Sequence, residues 1–129
     1  MGPVAGVLDT SAIVARHQED ASIVLPDQAA ISTVTLVELH AGVRGAANEH
    51  ARRVRQRQLS FVEARFEPLP VDEDVARHAG RIRADARRAG HKAALADVLI
   101  AATAVARGVA VYTRDRDFER LSGVDVVIV

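Results

Sequence analysis

The sequence predicts an α/β fold built on a mostly parallel sheet with helices on both faces. Short runs of branched apolar residues recur along the chain, and stretches with helical spacing separate them. Residues that start or stop helices stand at the ends of those stretches. Hydrophobic residues make up 49% of the 129 positions, which is enough for a core without disulfides. We therefore expect residues 1–129 to form a single domain.

Five segments are predicted to be strands. They span residues 4–8, 29–32, 66–70, 109–113 and 124–129. Pro68 and Pro70 close the third strand, and because proline donates no hydrogen bond to a sheet, this strand is expected to be short or at an edge. The run VAVYT at 109–113 is rich in β-branched residues and is expected to lie centrally. Strands that alternate with helices pair in parallel, so their carboxyl ends meet at one edge of the sheet.

Six helices are predicted between and after these strands. They span residues 10–17, 33–44, 48–64, 72–89, 94–107 and 115–121. Thr10 or Ser11 is expected to cap the first helix with its hydroxyl. Gly90 and Gly108 are expected to end the fourth and fifth helices, since glycine readily adopts the left-handed conformation that closes a helix.

The composition excludes several classes of protein. With no cysteine, the chain has neither disulfides nor a cysteine-ligated zinc site. It also lacks a Walker A motif, a dinucleotide-binding glycine fingerprint and an HExxH motif. Its start has no basic end followed by a long apolar stretch, and no apolar run is long enough to cross a membrane. We therefore expect a cytoplasmic protein with no membrane partner.

Asp97 is the only charged residue in the apolar run 93–106, which is long enough for a helix and is expected to be mostly buried. Removing a carboxylate from water costs several kcal/mol unless a basic partner, a proton or a metal ion compensates the charge. No basic residue lies in the run, so the compensating group is expected from another part of the fold. One open alternative is an ordinary ion pair between Asp97 and an arginine.

Four further acids stand out by position. Asp9 ends the first predicted strand, and Glu38 is the only charge in the apolar stretch 34–39. Asp115 and Asp117 follow the VAVYT strand. Because parallel strands end at one edge, these four are expected to meet the acid of the fifth helix there and to be catalytic with it. Taken singly, each also fits an ordinary helix cap, an exposed helix position or a loop acid.

Carboxylates that are held together repel one another, and a hard divalent cation removes that conflict. Ligand sets made only of oxygen suit Mg²⁺ or Mn²⁺. Such an ion activates water for the hydrolysis of phosphodiesters. Thr10, Ser11 and Thr113 lie beside the acids in sequence, and they either orient the carboxylates or serve only as helix caps and strand residues.

Basic residues are concentrated in two segments although the formal net charge is zero. Residues 44–65 hold six arginines against two glutamates, and residues 77–92 hold five arginines and one lysine against Asp85. Two basic helices favour a polyanion or an acidic protein segment as partner. The chain has no tryptophan and few other aromatic residues, so any binding of nucleic acid is expected to depend on phosphates and shape.

Three segments resemble the PIN-domain ribonucleases, and within them the VapC-type toxins of bacterial toxin–antitoxin pairs. They read VLDTSAIV, ISTVTLVELHAGV and LADVLIAATAVARGVAVYTRDRDF, and a closing GVDVVIV follows. The segments occur in the family's order and at its spacing over essentially the whole chain. The resemblance implies a three-layer α/β/α sandwich that cleaves RNA endonucleolytically with Mg²⁺ or Mn²⁺.

The resemblance also implies an acidic core in which Asp9, Glu38 and Asp97 bind the metal ion. A fourth ligand falls within TRDRDF, where we favour Asp115 over Asp117 because it lies nearer the strand end. Members of the family usually form homodimers and are inhibited by a VapB-type antitoxin. Both a second copy of the chain and such an antitoxin are therefore expected partners, besides RNA.

Two other functions fit parts of the pattern. One is a catalytically inactive binding module that keeps the PIN fold. The other is a phosphatase of the haloacid dehalogenase type, which carries a second acid two residues after the strand-end aspartate. Ser11 occupies that position here, which disfavours the phosphatase.

Overall fold

The computed structural model describes residues 4–19 and 22–129, and they are organised around a sheet of five strands. The strands are Gly6–Leu8 (β1), Ala29–Ser32 (β2), Glu67–Leu69 (β3), Val111–Thr113 (β4) and Val126–Ile128 (β5). Their spatial order is β3-β2-β1-β4-β5, and all four neighbouring pairs are parallel. The predicted parallel sheet is confirmed, and β3, which contains Pro68, lies at an edge as expected.

Five α-helices connect the strands. They are Thr10–Val14 (α1), Thr33–Arg44 (α2), Glu49–Arg65 (α3), Glu73–Arg88 (α4) and Leu95–Arg107 (α5). A π-helical turn, Ala15–Glu19, continues α1 where a longer α-helix was predicted. The helix predicted over 115–121 is instead a 3₁₀ turn, Arg116–Arg120, because the side chain of Asp115 accepts a hydrogen bond from the amide two residues later and tightens the chain there.

Two hydrophobic cores lie on the two faces of the sheet. Neighbouring residues of a strand point to opposite faces, and β1 shows this directly. Val7 packs in the core formed with α4 and α5, whereas Leu8 packs in the core formed with α1, α2 and α3. Ala30 and Ile31 of β2 divide between the cores in the same way. The three-layer α/β/α sandwich is therefore confirmed.

The strand order reverses at β1. β2 and β3 are added on one side of β1, and β4 and β5 are added on the other. Crossovers between parallel strands are right-handed, so the reversal places α1–α3 and α4–α5 on opposite faces. The carboxyl ends of β1 and β4 therefore flank a topological switch point, where sheets of this kind bind ligands.

Several predicted boundaries shift by one or two residues. β4 begins at Val111 and not at position 109, because the chain before it still closes α5: Gly108 has φ of 68°, and the amide of Val109 donates to the carbonyl oxygen of Ala104 at 3.0 Å. At the start of α2, the side chain of Ser32 caps the helix by accepting a hydrogen bond from the amide of Val34 at 3.1 Å. No helix within the described ranges combines the length and apolar character needed to cross a bilayer.

Candidate active site

Asp9 follows β1 directly and is only 7% exposed. Its Oδ2 atom accepts two hydrogen bonds, from Ser11 Oγ at 2.7 Å and from Thr113 Oγ1 at 2.8 Å. Its backbone amide donates to the carbonyl oxygen of Tyr112 at 2.9 Å. The carboxylate is therefore fixed by one hydroxyl from α1 and one from the end of β4.

The two hydroxyls also join the ends of β1 and β4 to each other. Ser11 Oγ and Thr113 Oγ1 lie 3.1 Å apart, and because each donates its single proton to Asp9, the carboxylate links them. Ser11 Oγ accepts from the amide of Arg114 at 3.0 Å, and Thr113 Oγ1 accepts from the amide of Asp115 at 2.9 Å. This network orients the loop that carries the last two acids.

The expectation that Thr10 or Ser11 caps α1 is wrong. Both residues lie inside the helix, and the capping position belongs to Asp9, whose side chain makes no capping hydrogen bond. The hydroxyls are directed to acids instead: Ser11 to Asp9, and Thr10 to Glu38, whose Oε1 accepts at 3.2 Å. Contacts of this kind fix the orientation of a carboxylate before it binds anything.

Glu38 lies on α2 and faces the same region. Partial burial raises the pKa of its carboxyl above the usual value, and the negative charge of Asp9 raises that pKa further. The hydrogen bond from Thr10 acts in the opposite direction, because it stabilises the ionised form.

Asp97 lies in the first turn of α5 and is half-buried, whereas the buried residues of that helix begin with Val98. The run around Asp97 is apolar, but its position in the first turn places it near the amino-terminal end of the helix and not among the enclosed residues. Burial raises the pKa of Asp97 to about 6, and neighbouring negative charges add to the effect. In order of decreasing influence, those charges are Asp9, Asp115, Glu38 and Asp117.

The alternative in which Asp97 pairs with an arginine finds no support. None of the salt bridges among residues 4–19 and 22–129 includes Asp97. Four acids raise its pKa, and no cation among the causes lowers it. The carboxylate is thus surrounded mainly by like charge.

Asp115 and Asp117 lie on the loop after β4, where the amide of Asp117 donates to Asp115 Oδ1 at 2.9 Å. Asp115 raises the pKa of Asp97 more than Asp117 does. The preference for Asp115 over Asp117 as a metal ligand stays a prediction. Asp117 instead lines a cavity of about 150 Å³ beside Asp97. The structure therefore brings all five predicted acids to the switch point between β1 and β4.

Two basic residues at this cavity were missed as site residues by sequence reasoning. His91 and Lys92 line it together with Asp97 and Asp117. In the sequence both belong to the basic segment 77–92, and no role at the acidic site was expected for them. The signal that could have identified them is their position directly before α5, which brings them to the edge where the acid of that helix lies.

The donor set suits a hard divalent cation, because five carboxylates and three hydroxyls provide oxygen ligands and no sulfur. Burial is the main cause of the raised pKa of Asp97, and the repulsion from the neighbouring acids, which a cation would relieve, adds to it. In the described part of the chain, however, no three acidic or histidine side chains are arranged as a ready metal-binding group. The case for a metal ion therefore rests on donor chemistry and charge, not on preformed coordination geometry.

Comparison with known proteins identifies the family of the fold. The PIN domain family matches residues 6–124. Ribonuclease VapC5 of Mycobacterium tuberculosis is 42% identical over 94% of this chain and 90% of its own length. A tRNA(fMet)-specific endonuclease VapC of Salmonella typhimurium is 38% identical over 74% of this chain and 71% of its own.

Solved structures give the same result. One is a crystal structure of VapBC-5 from Mycobacterium tuberculosis, a member of the VapBC family of toxin–antitoxin systems. It matches with a TM-score of 0.86 and 41% identity, and the match covers 98% of this chain and 100% of that chain. DNA-bound VapBC from Salmonella typhimurium matches with a TM-score of 0.78 and 28% identity, covering 96% of this chain and 97% of that one. The family match over residues 6–124 and these relatives show that the chain belongs to the PIN-domain family and is of the VapC type.

Proposed function

We propose that the protein is a metal-dependent endoribonuclease that acts as the toxin of a toxin–antitoxin pair. The observation that carries this proposal is the gathering of Asp9, Glu38, Asp97 and Asp115 at one strand edge, with Asp117 beside them. Relatives named as a ribonuclease and as a tRNA(fMet)-specific endonuclease support the same class of reaction.

A Mg²⁺ or Mn²⁺ ion held by Asp9, Glu38, Asp97 and Asp115 would supply an activated water for attack on phosphorus and would offset charge on the phosphodiester. The chain's own groups prepare that site. Ser11 and Thr113 hold the carboxylate of Asp9 in one orientation, and Thr10 holds Glu38. With a pKa of about 6, Asp97 is largely ionised at neutral pH and is the acid with most to gain from a cation.

The partners follow from the same proposal. The solved neighbours described as VapBC toxin–antitoxin proteins support a VapB-type antitoxin as inhibitor. We further propose that the chain forms a homodimer and works in the cytoplasm, where RNA is available. Light scattering of the purified chain should give the mass of two copies, and a mass of one copy at all concentrations would contradict the dimer.

The decisive experiment compares the wild-type chain with Asp97→Asn on cellular RNA. The wild type should cleave RNA with Mg²⁺ or Mn²⁺ and should stop when EDTA is added. The substitution should lower the rate more than about 100-fold, because even groups that only support a ligand contribute 10- to 100-fold. Sequencing of the cleavage ends identifies the target.

Asp125→Asn is the matched control. Asp125 is exposed and precedes β5, so it lies at the opposite, amino-end edge of the sheet. This variant should cleave RNA at the wild-type rate. If Asp97→Asn folds and cleaves as fast as Asp125→Asn, the proposal is wrong. If no chain cleaves RNA under any metal condition, the inactive binding module becomes the better description.

A further inference from the structure

The arginines of α4 fall into two groups. Arg77 pairs with Glu73, and Arg88 pairs with Asp85. Arg81 also pairs with Asp85, at 3.2 Å, and donates to the carbonyl oxygen of Ser122 at 2.9 Å. The remaining two arginines of the helix, at positions 83 and 87, take part in no salt bridge within the described ranges.

Arg83 and Arg87 lie one helical turn apart and open onto a cavity of about 240 Å³. His91 and Lys92, just beyond the end of α4, line the same cavity. Lys92 is exposed and likewise forms no salt bridge within residues 4–19 and 22–129. We call these four residues the basic trough.

The basic trough continues into the acidic site. His91 and Lys92 line both its cavity and the smaller cavity that contains Asp97 and Asp117. A chain lying in the trough would therefore pass from unpaired cations directly to the carboxylates. The paired arginines line neither of these two cavities, and acids of their own helix already offset their charge.

We propose that the basic trough binds the phosphate backbone of the RNA substrate on one side of the bond that is cleaved. The inference rests on the proposed function. The acids of the site repel RNA, so cations next to them are needed to hold it there. Guanidinium groups that lack an internal acid keep their donors for phosphate, which they bind in a bidentate manner.

RNA fits this surface better than an acidic protein segment. The trough ends at acids, which an acidic peptide has no chemical reason to approach, whereas a phosphodiester must reach them to be hydrolysed. The residues that line the cavity of the trough include no Phe, Tyr or Trp, and three of the five are Arg or Lys, so charge dominates this surface. The contacts should therefore be with phosphates and should be insensitive to RNA sequence.

The test compares two double variants of α4 that remove equal charge. Arg83→Ala/Arg87→Ala removes trough arginines, and Arg77→Ala/Arg88→Ala removes paired ones. Binding of a fluorescein-labelled, single-stranded RNA of about 20 nucleotides is measured by anisotropy in EDTA over a range of salt concentrations. Because all four side chains are exposed, both variants should fold, and circular dichroism checks this. If the alanine pair at 83 and 87 unfolds, Arg83→Gln/Arg87→Gln replaces it.

The trough variant should bind RNA about tenfold more weakly, and the slope of log K against log salt should become shallower by roughly 1.4, since each phosphate contact to a single strand contributes about 0.7. The control variant should bind within about twofold of the wild type. Equal affinities and slopes for the two double variants would overturn the proposal. So would a trough variant that binds RNA normally but loses affinity for a polyglutamate peptide.

A cleavage assay with Mg²⁺ separates this inference from the proposed function. If the wild type cleaves RNA and the two double variants bind it equally, the proposed role of the trough is wrong and the proposed nuclease activity is upheld. If the wild type cleaves nothing and only the trough variant loses RNA affinity, the trough is upheld as an RNA-binding surface and the proposed nuclease activity is wrong.

Discussion

Asp9 and Asp97 belong to one acidic site, yet the protein holds them in opposite ways. Asp9 is buried, and two hydroxyls donate to its carboxylate. Asp97 is half-buried, takes part in no salt bridge within the described ranges, and has a pKa raised to about 6. The comparison separates an acid that the fold has already satisfied from one that an external charge must satisfy.

Among changes that keep all five acids, the largest effect is expected when the support of Asp9 is removed. Thr113→Val keeps the shape of the side chain but deletes the hydroxyl that donates to Asp9 and accepts from the amide of Asp115. RNA cleavage should fall about 10- to 100-fold, as for other groups that orient a metal ligand. The free energy of unfolding, measured by urea denaturation, should fall by about 1–3 kcal/mol. Unchanged cleavage would mean that Asp9 is oriented without this hydroxyl.

The next largest effect concerns the positive charge that would compensate Asp97. Mg²⁺ or Mn²⁺ at about a hundred times its dissociation constant should stabilise the wild type by about 2.7 kcal/mol, because the ion binds the folded state only. Thermal melting with and without the ion measures this. Asp97→Asn should lose most of the stabilisation, and Asp125→Asn should keep it. A melting temperature that no divalent ion changes would contradict the metal site.

A smaller effect is expected from the charge of Asp97 in EDTA. Its pKa is 3.8 ordinarily and about 6 in the folded protein, so the folded state binds more protons between those values. This group's contribution to stability is therefore greatest below about pH 4, decreases as pH rises, and is lowest above about pH 6.

The pH dependence can be measured by urea denaturation of the wild type and Asp97→Asn. At pH 7.5 the variant should be more stable by about 1 kcal/mol, a value reduced from the full shift because the group is partly solvated. At pH 4 the two should be nearly equal. A constant difference across that range would show that the charge of Asp97 is not the cause.

The smallest effect is expected for a buried hydroxyl that supports no acid, and it serves as the comparison for Thr113. The hydroxyl of Thr35, on α2, is fully buried and is the one buried side-chain polar atom in the described ranges that makes no hydrogen bond. Thr35→Val should leave cleavage unchanged and should alter stability by less than about 1 kcal/mol, in the stabilising direction. A loss comparable to that of Thr113→Val would remove the distinction between the two hydroxyls.

Much of the architecture could be predicted because its signals are local. Gly90 and Gly108 end their helices with φ of 74° and 68°, and Asn48 and Asp72 cap theirs. The common edge of Asp9, Asp115 and Asp117 follows from parallel pairing, because these acids come just after β1 and β4. The π-helical turn after α1 and the 3₁₀ turn after β4 were missed, because neither leaves a distinct apolar period in the sequence.

The site was less predictable where it depends on distant contacts. Ser11 and Thr113 meet across 102 positions of sequence, and only the β1–β4 pairing brings their hydroxyls within 3.1 Å. Similarly, the charges of residues 77–92 look uniform in the sequence. Only the folded helix distinguishes arginines that reach an acid from those that do not.

The pairing of β1 with β4 has a consequence for the synthesis of the protein on the ribosome. Asp9 is made among the first residues, but one of the two hydroxyls that hold it belongs to Thr113, 104 positions later. Chains emerge from the ribosome with the amino terminus first, so every shorter nascent chain lacks this contact and lacks Asp115 as well. The acidic site is therefore incomplete until synthesis has passed residue 115, and a chain that ends before residue 113 lacks both Thr113 and Asp115.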